Sequence, residues 1–316
     1  MSILRGISQI FFIDNPVTGA VILIALACAD PRLALLTALG SATQTVGAWA
    51  LRYQDQADHG LMGYNGALVG ASTALYVGFT PTSVALTVVG SLACIIVHIA
   101  LQHVSEQPPL RRFALPVSTA PFCAVSSLMF GTLGHLIDPA PLSSAEGTAG
   151  FGLGIDNSFS EIVLADGVIT GAVIIAALFI GSWRIGAWAV GGAVVSTLLS
   201  GLAEHGFSET STGLHTYSAV LVAIAIGAVF WQDRPLSMRL VGAGVGIVLA
   251  MSINQLFTFT LLPIFTWPFL FAMWLVLIAG GFVPARAIKD APVAVSYTHL
   301  RAHETDSYLE CRLLLE

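Results

Sequence analysis

Long apolar runs separated by short polar turns set the pattern of this chain. A helix needs about 20 residues to cross a hydrocarbon layer about 30 Å thick, and ten segments come near that length. In the first half they are residues 15–29, 31–53, 60–79, 81–103 and 116–137; in the second, 162–180, 183–205, 213–231, 238–259 and 263–282. Segment 15–29 is short for an untilted crossing, and 60–79 opens with the loop-like Gly-Leu-Met-Gly-Tyr-Asn, so each is a candidate for a partial or broken helix. Residues 138–160, rich in Gly, Pro and Ser, read as an extramembrane loop. The expected organisation is a first repeat over 1–137, a linker over 138–160 and a second repeat over 161–290. Residues 295–316 are abruptly polar, continue nothing before them and resemble a translated adapter, so they read as a non-native tail outside the fold.

Composition turns these runs into a class. Of 316 residues, 56% are hydrophobic and 9% are charged, where a soluble domain carries about 25% charged residues. Mean hydropathy is +0.84. An ordinary soluble enzyme and a disordered chain are excluded. So is a nucleic-acid partner, since 12 basic residues stand against 18 acidic ones. An all-α polytopic membrane protein remains, with the lipid bilayer as its solvent. Basic residues then orient it. When successive loops are assigned alternately to two sides, one side collects Arg5, Arg52, Arg111, Arg112, Arg184, Arg234, Arg239, Arg286 and Lys289, and the other receives Arg32. That bias marks the richer side as cytoplasmic. It predicts both termini inside and 138–160 as an outer-face linker. The start of the chain shows no cleavage site, so insertion is expected to rely on the first spanning helix. Cys28, Cys94 and Cys123 sit in apolar runs and no spacing fits a zinc or haem site, so no cofactor is expected.

The two halves repeat each other. Phe12-Ile-Asp-Asn-Pro-Val-Thr-Gly-Ala-Val-Ile22 aligns with Leu164-Ala-Asp-Gly-Val-Ile-Thr-Gly-Ala-Val-Ile174, Gly60-Leu-Met-Gly-Tyr64 with Gly213-Leu-His-Thr-Tyr217, and Leu115-Pro-Val-Ser-Thr-Ala-Pro-Phe122 with Leu262-Pro-Ile-Phe-Thr-Trp-Pro-Phe269. The offsets, 152, 153 and 147, keep one order. Five spans per copy would make the second copy enter from the opposite side, giving two inverted five-span repeats with re-entrant or half helices around a central pore. Prolines in both Leu-Pro-x-x-Thr-x-Pro-Phe copies break the backbone. At membrane depth such breaks survive only where buried in protein or lining a polar path. Thr119 and Thr266 become candidates for a central polar contact.

Together, Ile3-Leu-Arg-Gly-Ile-Ser-Gln9, Asn15-Pro-Val-Thr-Gly19, Gly60-Leu-Met-Gly-Tyr-Asn65 and the two Leu-Pro-x-x-Thr-x-Pro-Phe copies resemble the urea transporter family, in the same order from Ile3 to Pro284. The resemblance implies a homotrimer in the cell inner membrane. Each subunit would conduct urea passively through a filter with outer, middle and inner positions. It matches Gln9 and Glu161 to mouth positions and Thr119 and Thr266 to the middle. Phe12, Tyr64 and Leu68 match the flat slots of the first repeat, with Leu164, Tyr217 and Leu221 as second-repeat counterparts. The second half departs from the family pattern at Gly167-Val168, where Asn-Pro is expected, and at Thr216-Tyr217-Ser218, where Gly-x-Asn is expected.

This chemistry suits a flat neutral amide. Urea carries four N–H donors and one acceptor, and stripping its water without replacement costs about 2–7 kcal/mol per polar group. A ladder of oxygen acceptors between apolar slabs supplies the replacement, while hydrated ions lose far more. An ammonium or other small-solute channel is the alternative, on the apolar-flanked His98, His103 and His205. An enzyme would need a nucleophile–base pair or a metal cluster, and the sequence offers neither. Asp14 and Asp166 are expected to cap the helices that follow them.

Overall fold

The computed structural model describes residues 1–134, 136, 144–203, 206–260 and 263–281. Among these, every regular element is a helix. The first half contains α1 (Ser2–Gln9), α2 (Pro16–Ala29), α3 (Pro31–Ala50), α4 (Gln54–Asp58), α5 (Tyr64–Val77), α6 (Pro81–Ser105), α7 (Pro108–Arg111) and α8 (Ala120–Leu133). The second contains α9 (Gly147–Ser160), α10 (Val168–Gly181), α11 (Trp183–Ala203), α12 (Tyr217–Ile224), α13 (Leu236–Phe257) and α14 (Trp267–Gly281), with α12 running on as a π-helix over Ala225–Phe230. The expected tail, 295–316, lies outside the described residues.

Each of the ten apolar segments holds a helix, and local chemistry fixes where several begin. Proline stands in the first turn of α2, α3 and α6, where its missing N–H costs nothing. Asn15 accepts from the N–H groups of Val17 and Thr18, and Asp30 from that of Arg32. Thr80 and Ser83 form a reciprocal capping box before α6. Three helices, α6, α11 and α13, are long and apolar enough to cross a membrane alone, and Gly147–Val163 with Val168–Gly181 would do so as a pair bent by 78°. The others of the ten are shorter or less apolar. α2, α5, α8 and α10 have 14 residues each, about 21 Å of helix. Short helices thus extend beyond 15–29 and 60–79 to segments 116–137, 162–180, 213–231 and 263–282.

Four helices lie outside the ten expected segments: α1, α4, α7 and α9. Within the stretch read as a loop, residues 147–160 form α9. Four glycines argue against a helix by propensity, yet two of them, Gly150 and Gly154, allow close contacts with the surrounding chain. A Cβ at Gly150 would sit 2.2 Å from the Ala145 carbonyl oxygen, and one at Gly154 would sit 3.0 Å from that of Thr210. Helix α7 has no counterpart among the described residues of the other half. With its flanks it accounts for the fall in offset from 153 to 147.

Backbone detail repeats along with sequence. Left-handed φ occurs at Phe12 (60°) and Leu164 (56°), at Ser118 (47°) and Phe265 (40°), and at Gly60 (77°) and Gly213 (82°). Arg5 donates to the Asp58 carbonyl and Asn157 to the equivalent Ser211 carbonyl. Side chains differ between Phe12 and Leu164 and between Ser118 and Phe265 while the turn is kept. One large buried apolar cluster runs through both halves. Small residues let helices close up around it: a Cβ at Gly40 would fall 1.9 Å from the Gly66 carbonyl oxygen of α5, the close approach typical of membrane helices. Between the halves, Thr18 of α2 donates to the Ala177 carbonyl of α10 at 3.3 Å.

Candidate functional site

The site is built where α8 and α14 begin. In front of each, one residue turns left-handed, Ser118 or Phe265, a conformation costly for residues with a Cβ. A tyrosine holds each turn. The hydroxyl of Tyr64, first residue of α5, donates to the Ser118 carbonyl at 2.7 Å, and Tyr217, first residue of α12, donates to the Phe265 carbonyl. Asn65 doubles the first clamp, donating to the Ser118 carbonyl at 3.3 Å and accepting from Phe122 N–H at 3.1 Å. Ser218 stands at the matching position of the second half, and among the described residues its hydroxyl makes no hydrogen bond to the Phe265 turn. The departure from Gly-x-Asn therefore removes a two-way brace.

The turns bring the two threonines together. Thr119 Oγ1 and Thr266 Oγ1 lie 2.7 Å apart and share a hydrogen bond, with the residues 4% and 3% exposed. Cys123, one turn into α8, places Sγ 3.0 Å from Thr266 Oγ1. Phe12, Leu68, Leu164 and Leu221 belong to the apolar cluster or pack against it. Tyr64 and Tyr217 do too, but their hydroxyl ends grip backbone. The aromatic surroundings come instead from residues the sequence reading left out. Phe122 meets Phe265 edge-on at 5.0 Å between ring centroids, and Phe12 lies 6.2 Å from Phe269 and 6.1 Å from Phe230. Phe122 and Phe269 close the repeated proline motif, which was the signal available for finding them.

Gln9 and Glu161 end their helices at equivalent points, three residues before Phe12 and Leu164. Gln9 is half-buried and its Nε2 donates to the His59 carbonyl at 2.9 Å. Glu161 is 8% exposed and opens the 3-10 turn Glu161–Val163, so it is no solvated loop residue. Among the described residues neither is hydrogen-bonded to Thr119 or Thr266. The capping expectation needs correction. Asn15, not Asp14, caps α2, because Asp14 turns back to His59 Nδ1 at 2.6 Å and to Arg5 Nε at 3.1 Å. Asp166 accepts from the Gly167 N–H, and no side chain caps α10. Of the histidines, His98 is buried in α6, His103 is exposed near its end, and His205 lies outside the described residues.

Comparisons with known proteins give the family. The model of the family described as "Urea transporter" matches residues 1–281. The chain belongs to the urea transporter family. Relatives include Urea transporter 1 of Ovis aries, 28% identical over 306 aligned positions that cover 87% of this chain and 76% of the relative. Urea transporter 1 of Mus musculus and that of Rattus norvegicus are also 28% identical, at the same coverage. Urea transporter membership sets the chain among transporters rather than enzymes.

Proposed function

We propose that the chain is a passive channel for urea, or a closely similar small neutral amide, in the cell inner membrane. Its two halves form inverted repeats around one pore per subunit, both termini face the cytoplasm, residues 138–160 link the repeats on the outer face, and three subunits associate as a homotrimer. Gln9 and Glu161 are the acceptors at the two mouths. Thr119 and Thr266 form the middle of the filter, and Phe12, Leu68, Leu164 and Leu221 wall it. Tyr64 and Tyr217 shape it by holding the turns that aim the threonines.

The contact between Thr119 and Thr266 carries this reading. Two hydroxyls from opposite halves, 147 residues apart in sequence, meet at 2.7 Å inside an apolar cluster. Each is amphoteric, so the pair is self-satisfied at rest and either member can turn an oxygen lone pair to an amide N–H. Aromatic and aliphatic neighbours exclude hydrated ions by leaving nothing to replace their water. Binding stays shallow, because the solute must break the bond between the two hydroxyls before it gains its own. Stopped-flow light scattering of proteoliposomes under a urea gradient tests the proposal: shrunken vesicles recover faster with the protein than without it. Equal rates would refute it.

A further inference from the structure

Gln9 and Glu161 occupy one position of the repeat but offer different chemistry. An ionised carboxylate accepts hydrogen bonds at both oxygens, whereas an amide accepts at one end and donates at the other. For a solute made chiefly of N–H donors, an amide serves only when its oxygen end faces the right way.

The structure contains a device that turns it. Gln9 Nε2 donates to the His59 carbonyl at 2.9 Å, which leaves Oε1 as the free end. The His59 ring is tied through Nδ1 to Asp14 Oδ2 at 2.6 Å, and Asp14 Oδ1 lies 3.1 Å from Arg5 Nε. Arg5 stands one turn before Gln9 on α1 and also donates from Nη1 to the Asp58 carbonyl at 2.9 Å. The circuit runs from α1 through Asp14 to His59 and back to α1. In the other half it is dismantled. Arg5, Asp14 and His59 correspond to Asn157, Asp166 and Thr212. Asn157 keeps only the bond to the Ser211 carbonyl, at 2.8 Å, that matches the one from Arg5 to Asp58. Among the described residues Asp166 has no ion pair. The latch exists in the half whose mouth residue is an amide, with one donor end and one acceptor end, and is missing in the half whose mouth residue is a carboxyl group.

We propose that Arg5, Asp14 and His59 are positioning residues that fix the Gln9 amide with Oε1 toward the solute. The proposal rests on the reading of Gln9 as a mouth residue. It is tested by urea flux in proteoliposomes, normalised to protein recovered in the bilayer. Asp14→Ala slows flux roughly two- to five-fold, the range available to a partly exposed ion pair; Asp14→Asn takes its place if the alanine variant is not recovered. His59→Gln, whose amide can still donate to Asp14, restores a rate near that of the unaltered chain. In a Gln9→Glu background, Asp14→Ala has no further effect. Equal losses in both backgrounds, or an unchanged rate for Asp14→Ala beside a slowed Gln9→Ala, would overturn the latch alone. An unchanged rate for Gln9→Ala would remove the mouth reading and the latch with it.

Discussion

Replacing Thr119 with valine exchanges a hydroxyl for a methyl of nearly the same volume, so the site keeps its shape and loses one oxygen. On the proposed reading, an amide passing the middle must break the bond between Thr119 and Thr266, 2.7 Å long, and can make one to each hydroxyl: one lost, two gained. In Thr119→Val it breaks only the weaker contact of Thr266 with Cys123 Sγ, at 3.0 Å, and gains one. The difference is close to one net hydrogen bond, about 1 kcal/mol, or roughly five-fold in permeability. Thr119→Ser keeps the oxygen and should stay near the starting rate. The stopped-flow recovery of vesicles under a urea gradient reads both variants at matched protein content. A Thr119→Val rate equal to or above that of the unaltered protein would refute the reasoning. It would show that the resting hydroxyl pair obstructs the solute without serving it.

Further outcomes follow from contacts nearby. Tyr217→Phe should lower the melting temperature more than Tyr64→Phe, because among the described residues only Tyr217 donates to the buried Phe265 carbonyl, whereas Asn65 remains at Ser118. The costs are about 1–3 and about 0.5–1.5 kcal/mol respectively, read by thermal unfolding in detergent. Gly66→Ala should abolish recovery of folded protein on size-exclusion chromatography, since the added Cβ would lie 2.2 Å from the Gly40 carbonyl oxygen. Glu161→Gln should leave urea flux within about three-fold, because the equivalent position 9 already carries an amide, while Glu161→Ala should cost about ten-fold by the same assay.

Much of this arrangement was legible in the chain, and the exceptions have physical causes. Helix limits at α2, α3 and α6 followed from proline in the first turn. The threonine pair followed from a motif written twice. Helix α9 was hidden because its glycines lower helix propensity while permitting the contacts that hold it. The offset of 152 maps α1 onto residues 154–161, but no helix was expected over residues 2–9 either. Asp14 looked like a cap because caps are local, but its partner His59 lies 45 positions away. The walls around the threonines were only half visible, since ring-to-ring distances belong to tertiary packing. Tyr64 and Tyr217 read as slabs because a sequence shows a ring and not where its hydroxyl points.

The left-handed turns at Phe12, Leu164, Ser118 and Phe265 bear on how such a chain can drift. Phenylalanine became leucine at one pair and serine faces phenylalanine at the other, so what descends unchanged is the bend and not the residue bearing it. Divergence is cheap at the side chain and dear at the backbone. Glycine or asparagine should be accepted at these four sites and proline refused. Distant kin that have lost the wording of the motifs should still be traceable by the places where their chains must swerve.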